Sequence, residues 1–153
     1  DVSRLGVDRW LAMLAAYRIA DRACLIADSG TAFTLDGIDS DGTHLGGFIL
    51  PGIKLMRHGL ETSTAISIPE DAQTGSIELG NSTDEAVLNG SIASLVALVE
   101  KYSRRLQQTS GQAKLFFSGG DAAVIAKFID YENSEIIPGL VLDGLAIACP
   151  SHK

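Results

Sequence analysis

The sequence predicts an α/β domain in which helices flank a mixed sheet. Three short apolar runs separated by turn residues lie in the first third of the chain, and helical and strand-like patterns alternate after them. Strands joined by tight turns are most simply antiparallel, whereas alternating helices and strands favour a layered α/β arrangement. A chain of 153 residues with 46% apolar composition is long enough to bury a core of its own.

The first predicted element is an amphipathic helix from Asp8 to Arg22. Its apolar residues return at helical spacing and comprise Trp10, Leu11, Leu14, Ala15 and Ile19. Aspartate is a preferred N-cap residue, so Asp8 is expected to cap this helix.

A three-stranded antiparallel meander is predicted next. Its strands cover residues 24–28, 31–39 and 44–50, and the turn signals "SG" and "SDG" separate them. Pro51 and Gly52 end the third strand, and a short helix follows to Glu61. Residues 62–82 are rich in Ser, Thr and Gly and predict an irregular connection with at most one short strand.

The longest helix is predicted to follow, because Ser82 and Glu85 have the spacing of a capping box and an apolar stripe continues to about Gln108. Residues 114–129 then predict a strand, a glycine turn and a helix. Residues 134–149 predict a short strand and a closing helix.

Composition narrows the function classes. A net charge of −7 argues against nucleic-acid binding, which depends on Lys and Arg neutralising phosphates. The apolar runs are shorter than the roughly 18 residues of a membrane span. Cys24 and Cys149 match neither a disulfide framework nor a zinc site, which predicts a reducing, cytoplasmic compartment. The start at Asp1, without a methionine, indicates a fragment.

One candidate site is the D-x-G-T stretch formed by Asp28, Gly30 and Thr31. A carboxylate at the end of a buried strand, followed by a glycine turn, can hold a cation while backbone N–H groups approach a phosphate. Asp and Gly are also favoured in tight hairpin turns for conformational reasons alone. The motif by itself leaves both interpretations open.

Three further stretches of the sequence can each be interpreted as functional or as purely structural. Asp8 and Arg9 lie where a loop enters a helix, so Asp8 is either a proton acceptor or a cap, and Arg9 can bind an anion. Thr83 begins the long helix and is either a substrate contact or part of its cap. Gly119 and Gly120 follow a strand and either receive a nucleotide or simply permit the turn.

Taken in order, six stretches resemble type III pantothenate kinase across nearly the whole chain: "LGVDRWLAMLAAY", "DSGTAFTLD", "GGFILPGIKLM", "GNSTDEAVLNG", "FFSGGDA" and "LVLDGLAI". The ordered set is far more specific than any one motif. The resemblance implies an RNase H-like lobe of the actin-like ATPase superfamily, whose two lobes bind a nucleotide between them. Residues 1–153 would then be the C-terminal lobe of a two-lobed kinase.

The resemblance also assigns roles to individual residues. Asp8, in the G-x-D-R stretch, would be the general base that deprotonates the pantothenate hydroxyl. Substrate contacts would come from Gly6, Val7, Asp8, Arg9 and Thr83. Asp28 would hold a monovalent cation, potassium or ammonium, and Thr31 would contact ATP, with Mg²⁺ bound to its phosphates.

The implied activity is ATP-dependent phosphorylation of pantothenate, the first step of coenzyme A synthesis, in a homodimer. The N-terminal lobe with its D-x-G-N phosphate loop, and a tyrosine that precedes G-x-D-R in the family, are missing from these residues. This lobe alone is therefore expected to be inactive. Two alternatives stay open: a noncatalytic regulator of the Bvg accessory factor type, and another small-molecule kinase of the same superfamily.

Overall fold

The computed structural model describes residues 5–66 and 75–150. The elements follow one another along the chain as α1 (Val7–Ala20), β1 (Cys24–Ser29), β2 (Ala32–Ile38), β3 (His44–Pro51), α2 (Ile53–Ser63), α3 (Thr83–Ser110), β4 (Lys114–Ser118), α4 (Ala122–Ala126), β5 (Ser134–Ile136) and α5 (Leu140–Ala148). The predicted order of elements is confirmed.

The five strands form one mixed sheet in the order β3-β2-β1-β4-β5. β1 and β2 pair antiparallel, as do β2 and β3, which confirms the meander. β4 lies parallel to β1 on the other side, and β5 lies parallel to β4. The C-terminal ends of β1 and β4 therefore meet at the same edge of the sheet.

Each face of the sheet has its own hydrophobic core, because successive residues of a strand point to opposite faces. Leu25 and Ala27 of β1 pack with α3 and α4 on one face. Cys24 and Ile26 pack with α1 and the start of α5 on the other. β1 is thus buried on both sides, while nearly all of β3 is exposed at the edge of the sheet.

Two predictions about α1 are wrong. The helix begins at Val7 with Gly6 as its N-cap, so Asp8 lies inside the first turn and is not the cap. Trp10 and Ile19, placed on the apolar stripe from their spacing, are 43% and 45% exposed. Small side chains form most of the buried face instead, because they let the helix backbone approach its neighbours closely; this face comprises Leu11, Ala12, Met13, Ala15, Ala16 and Ala20.

The capping box of α3 is confirmed in a shifted form. Ser82 Oγ accepts a hydrogen bond from the backbone N–H of Glu85 at 3.2 Å. Glu85 Oε2 accepts in return from the N–H of Asn81 at 2.8 Å, one residue before the cap. With 28 residues, α3 is the longest helix among residues 5–66 and 75–150.

Smaller differences concern the ends of elements. α2 continues to Ser63, two residues past the predicted end, and α4 ends at Ala126 rather than at residue 129. Residues 75–82 contain neither helix nor strand, as expected for the connection. The remainder of that predicted connection, residues 67–74, lies outside the described residues.

Gly144 provides a test of the packing between α1 and α5. A Cβ at this buried position would collide with the backbone of Leu11 in α1. Gly144→Ala is therefore expected to lower the free energy of unfolding by about 1–3 kcal/mol, although alanine is the better helix former. Urea unfolding of the full-length protein measures the change.

Gly90 in α3 is the matched control, because a Cβ there meets nothing within 4 Å. Gly90→Ala is expected to stabilise the protein by about 0.5–1 kcal/mol. Equal effects of the two substitutions would contradict a close α1–α5 contact.

Candidate active site

A cleft of about 620 Å³ lies where the C-terminal end of β1, the start of β2 and the first turn of α1 meet. It brings together six of the seven site residues predicted from the sequence: Gly6, Val7, Asp8, Arg9, Asp28 and Thr31. The two motifs that carry these residues are about 20 positions apart in the sequence. Their meeting in one cleft follows from the packing of α1 against β1 and β2.

The G-x-D-R stretch turns into the helix inside this cleft. Gly6 has extended backbone geometry, and α1 begins at the next residue. Asp8 is exposed in the first turn, where an acidic side chain interacts favourably with the helix dipole. Because Gly6 takes the N-cap position, the Asp8 side chain is not needed as the cap and is free to interact with a substrate.

Asp28 occupies the end of β1 and is half-buried. Burial raises the pKa of this carboxyl, the nearby charge of Asp8 raises the pKa further, and a hydrogen bond with Ser118 of β4 lowers it in part. Ionised Asp28 is therefore less favourable in the folded protein than in water. A bound cation would offset that cost.

Two glycines hold the turn after β1 in place. Gly119, at φ +85°, lies so close that a Cβ there would be 2.7 Å from Asp28 Oδ1. On the other side, a Cβ at Gly52 would collide with the carbonyl oxygen of Gly30, and the Gly52 N–H donates to the Thr31 carbonyl at 2.9 Å. The D-x-G-T stretch is thus a tight turn and also part of the cleft wall.

The cleft also contains a carboxylate that the sequence interpretation missed. Asp36 in β2 is 3% exposed and accepts two hydrogen bonds from Arg9, from Nε at 2.8 Å and from Nη2 at 2.5 Å. His44 Nε2 lies 2.8 Å from the same carboxylate. Asp36 raises the pKa of Arg9, chiefly through its hydrogen bonds, and burial lowers that pKa in part. The sequence feature that could have identified Asp36 is the position of an aspartate in the middle of an otherwise apolar strand.

Thr83 is the predicted site residue that does not line this cleft. It is exposed at the start of α3 and lines a separate surface cavity of about 730 Å³ beside α2. The cap of α3 is Ser82, so Thr83 is not required for capping either. The single chain therefore does not place Thr83 beside Asp8.

Neither a metal cluster nor a membrane helix appears in the described residues. Among them, no group of three or more His, Cys, Asp or Glu side chains could hold a metal ion. The helices within residues 5–66 and 75–150 are also too short or too polar to cross a bilayer.

Comparison with known proteins identifies relatives along almost the whole chain. The family model for type III pantothenate kinase matches residues 1–105. Proteins named type III pantothenate kinase from Pseudomonas paraeruginosa and Ectopseudomonas mendocina are 41% and 42% identical, and each alignment covers 98% of this chain. The relative from Pseudomonas syringae is 44% identical. The chain spans 61%, 62% and 61% of the length of these three relatives.

Two solved structures share the fold. A Baf family protein from Campylobacter jejuni, described as a transcriptional activator, aligns with a TM-score of 0.70 and 26% identity over 94% of this chain and 63% of its own. The ethanolamine utilization protein EutJ from Carboxydothermus hydrogenoformans aligns with a TM-score of 0.51 at 20% identity, over 90% of this chain and 53% of its own, which shows the fold alone. The predicted α/β fold, a mixed sheet flanked by helices, is confirmed, and membership of the actin-like ATPase superfamily stays a prediction. On the family match and the relatives together, this chain belongs to the type III pantothenate kinase family.

Proposed function

We propose that this chain is the C-terminal lobe of a two-lobed kinase that transfers a phosphoryl group from ATP to pantothenate, the first step of coenzyme A synthesis. The observation that carries the proposal is the cleft in which Asp8, Arg9, Asp28 and Thr31 come together. Phosphoryl transfer depends mainly on positioning and on charge stabilisation around the phosphates. A partial cradle explains why this lobe alone is expected to be inactive.

Asp8 is the proposed general base. Its exposed carboxylate lies in the first turn of α1, and in this position it can accept the proton of the pantothenate hydroxyl. The hydroxyl oxygen then forms a bond to the γ-phosphorus of ATP, and the bond to the bridging oxygen breaks to release ADP. Gly6, Val7 and Arg9 form the pantothenate side of the cleft, and Thr31 lies on the ATP side.

Asp28 is the proposed ligand of a monovalent cation, potassium or ammonium. The Asp28 carboxylate is half-buried, and the described residues contain no cluster of three or more His, Cys, Asp or Glu side chains that could hold a metal ion. Such a donor set fits a large ion of low charge better than a transition metal. When bound, the cation would supply positive charge near the ATP phosphates. Mg²⁺ would enter with ATP, since it is commonly held by phosphates together with few protein ligands.

A homodimer would reconcile Thr83 with the cleft. Thr83 lies in a separate cavity of its own chain, so its proposed contact with pantothenate would have to be made in the cleft of a second copy. Thr83 is exposed at the start of α3, which leaves it accessible to a second copy. The cytoplasm is the proposed location, supported by the two free cysteines Cys24 and Cys149.

Two other functions fit the fold. A regulatory role is suggested only by the description of the Campylobacter jejuni structure as a transcriptional activator. A different small-molecule kinase would share the D-x-G-T turn but has no particular reason to share G-x-D-R. The G-x-D-R stretch, whose Asp8 and Arg9 line the cleft, favours the pantothenate kinase.

Replacing Asp8 by Asn in the full-length kinase tests the general base. Turnover of pantothenate is expected to fall on the order of 10²–10⁴-fold, because Asn cannot accept the proton. The melting temperature should change little, since Asp8 does not cap α1. Near-normal turnover, measured by coupled ADP release, would remove Asp8 from the mechanism.

Replacing Asp28 by Asn tests the cation site through stability. Because the folded pKa of Asp28 is raised, the folded state holds the proton more tightly, and its ionisation destabilises the fold as pH rises above the unfolded value of about 4. Between pH 4 and 7 without potassium, the wild type should therefore lose melting temperature relative to Asp28→Asn.

Potassium should raise the melting temperature of the wild type at pH 7 and leave that of the variant unchanged. Sodium at the same concentration is the control for ionic strength. Equal stabilisation of the two proteins by potassium would place the cation elsewhere.

Mixed dimers test the proposed placement of Thr83. Full-length Asp8→Asn and Thr83→Ala variants should each have low activity, and mixing them should restore part of it if one intact cleft forms between Asp8 of one copy and Thr83 of the other. Sedimentation should show a dimer at micromolar concentration. Absence of any recovery in an exchanging dimer would contradict the shared site.

A further inference from the structure

Asp36 is a buried carboxylate for which the proposed chemistry gives no direct role. It lies in the middle of β2, opposite Ile26 of β1 and Gly47 of β3, and only 3% of it is exposed. A carboxylate in such surroundings is costly unless hydrogen bonds and an opposite charge compensate for its lost hydration. Ile26 and Gly47, directly opposite Asp36, have no polar side chain, so the compensation must come from other residues.

The compensation comes from α1 and from the edge strand. Arg9 donates from Nε to Asp36 Oδ2 and from Nη2 to Asp36 Oδ1, which is a two-bond fork. His44 of β3 approaches the same Oδ1 with Nε2 at 2.8 Å. An ionised carboxylate only accepts hydrogen bonds, so this His44 nitrogen carries the hydrogen. Asp36 thus links the start of α1 to the edge of the sheet.

The backbone leaves room for this arrangement at one point. A Cβ at Gly47 would collide with Asp36 Oδ1 and would lie 2.8 Å from Arg9 Nη2. The absence of a side chain at Gly47 therefore leaves the space in which the Arg9 guanidinium meets the Asp36 carboxylate.

We propose that Asp36 is a positioning residue that fixes the Arg9 guanidinium in the orientation in which it binds the carboxylate of pantothenate. The inference rests on the proposed function and adds to it the origin of the Arg9 geometry. An arginine has five N–H donors, and the fork to Asp36 uses two of them. Three donors are left for a second anion.

The location of the pair distinguishes this role from a purely structural one. Arg9 and Asp36 both line the same cleft as Asp8, and Arg9 is the residue that follows Asp8 in the chain. The Arg9 side chain is 17% exposed, so part of it remains accessible. Pantothenate is itself a carboxylate, and a planar guanidinium recognises carboxylates through paired hydrogen bonds. Holding a flexible arginine in place beforehand lowers the entropy lost when the substrate binds.

A double-mutant cycle in the full-length kinase tests the inference. Asp36→Asn keeps the size of the side chain but removes the charge that holds the fork. The KM for pantothenate is expected to rise about tenfold to a hundredfold, the range for losing hydrogen bonds to a charged group. The kcat and the KM for ATP should stay within about twofold, because uniform binding of one substrate is lost.

The second arm of the cycle shows whether Asp36 acts through Arg9. In an Arg9→Gln background, adding Asp36→Asn should change the KM for pantothenate by less than about twofold, because the group that Asp36 positions is already gone. The double variant contains no unpaired buried charge and is expected to fold even where a single variant does not; a KM for pantothenate equal to that of the wild type in the double variant would overturn the proposal. Equal effects of Asp36→Asn in both backgrounds would overturn the proposal, as would a rise confined to the KM for ATP.

Two further variants complete the experiment. His44→Ala leaves the Arg9–Asp36 charges intact but removes the hydrogen bond from His44 to Asp36. It should raise the KM for pantothenate severalfold in the wild type but not in Arg9→Gln. No change of this KM in either background would contradict the idea that His44 helps to hold Asp36 in position. Asp41→Asn, an exposed carboxylate in the same β2–β3 hairpin, is the matched control and should leave all constants unchanged.

Calorimetric binding of pantothenate separates this inference from the proposed function. If the wild type binds pantothenate without phosphorylating it, the kinase function is wrong, and weaker binding in Asp36→Asn still supports the role of Asp36. If the wild type phosphorylates pantothenate and Asp36→Asn binds it as tightly, the role of Asp36 is wrong and the kinase function stands. A wild type that does neither overturns both.

Discussion

The pairing of β1 on both of its sides is the constraint on which the rest of the structure depends. β2 lies antiparallel to one side and β4 parallel to the other, so β1 cannot shift in register without disturbing two ladders. Its alternate residues also supply both cores. The end of β1 is therefore a rigid point, and it is the point at which Asp28 meets the cleft. Burial at this point raises the pKa of the Asp28 carboxyl.

The other half of the cleft is fixed by polar rather than apolar contacts. The first turn of α1 is largely exposed: Val7 is 69% exposed, and Asp8 and Trp10 are also exposed. The fork from Arg9 to Asp36 anchors that turn to the sheet. A buried ion pair adds little net stability, but removing one partner leaves an uncompensated charge. The pair therefore specifies one arrangement of α1 over β2 more than it stabilises the fold.

Local patterns predicted the elements well, and the long-range contacts were the part they could not supply. The turn signals between the meander strands and the Ser82 capping box depend on neighbours within a few residues, and both predictions are confirmed. The predicted buried face of α1 was partly wrong, because alanines pack inward and Trp10 does not. Which residues pack inward depends on the close approach of α5 at Gly144. Asp36 escaped notice because its partner is 27 residues away.

The site followed the same division between local and long-range information. The resemblance selected Asp8 and Asp28, and the fold placed both in one cleft. The same local information could not show that Thr83 would lie in a different cavity, because its position relative to Asp8 depends on how α3 packs against the opposite face of the sheet. Spacing in the sequence identifies residue types suited to a task. Only the packing of the elements decides which of them share a cavity.

The charges of the cleft indicate why a phosphate donor would need cations there. Among the described residues that line it, three carboxylates, Asp8, Asp28 and Asp36, stand against one guanidinium, and Arg9 is already paired with Asp36. With all three ionised the lining carries two net negative charges, which repel an anionic nucleotide. The unpaired negative charge belongs to Asp8 and Asp28, and the raised pKa of Asp28 reflects that repulsion in part. A cation at Asp28 and Mg²⁺ on the nucleotide would reverse the sign of the interaction, while Asp8 would keep the negative charge that a proton acceptor requires.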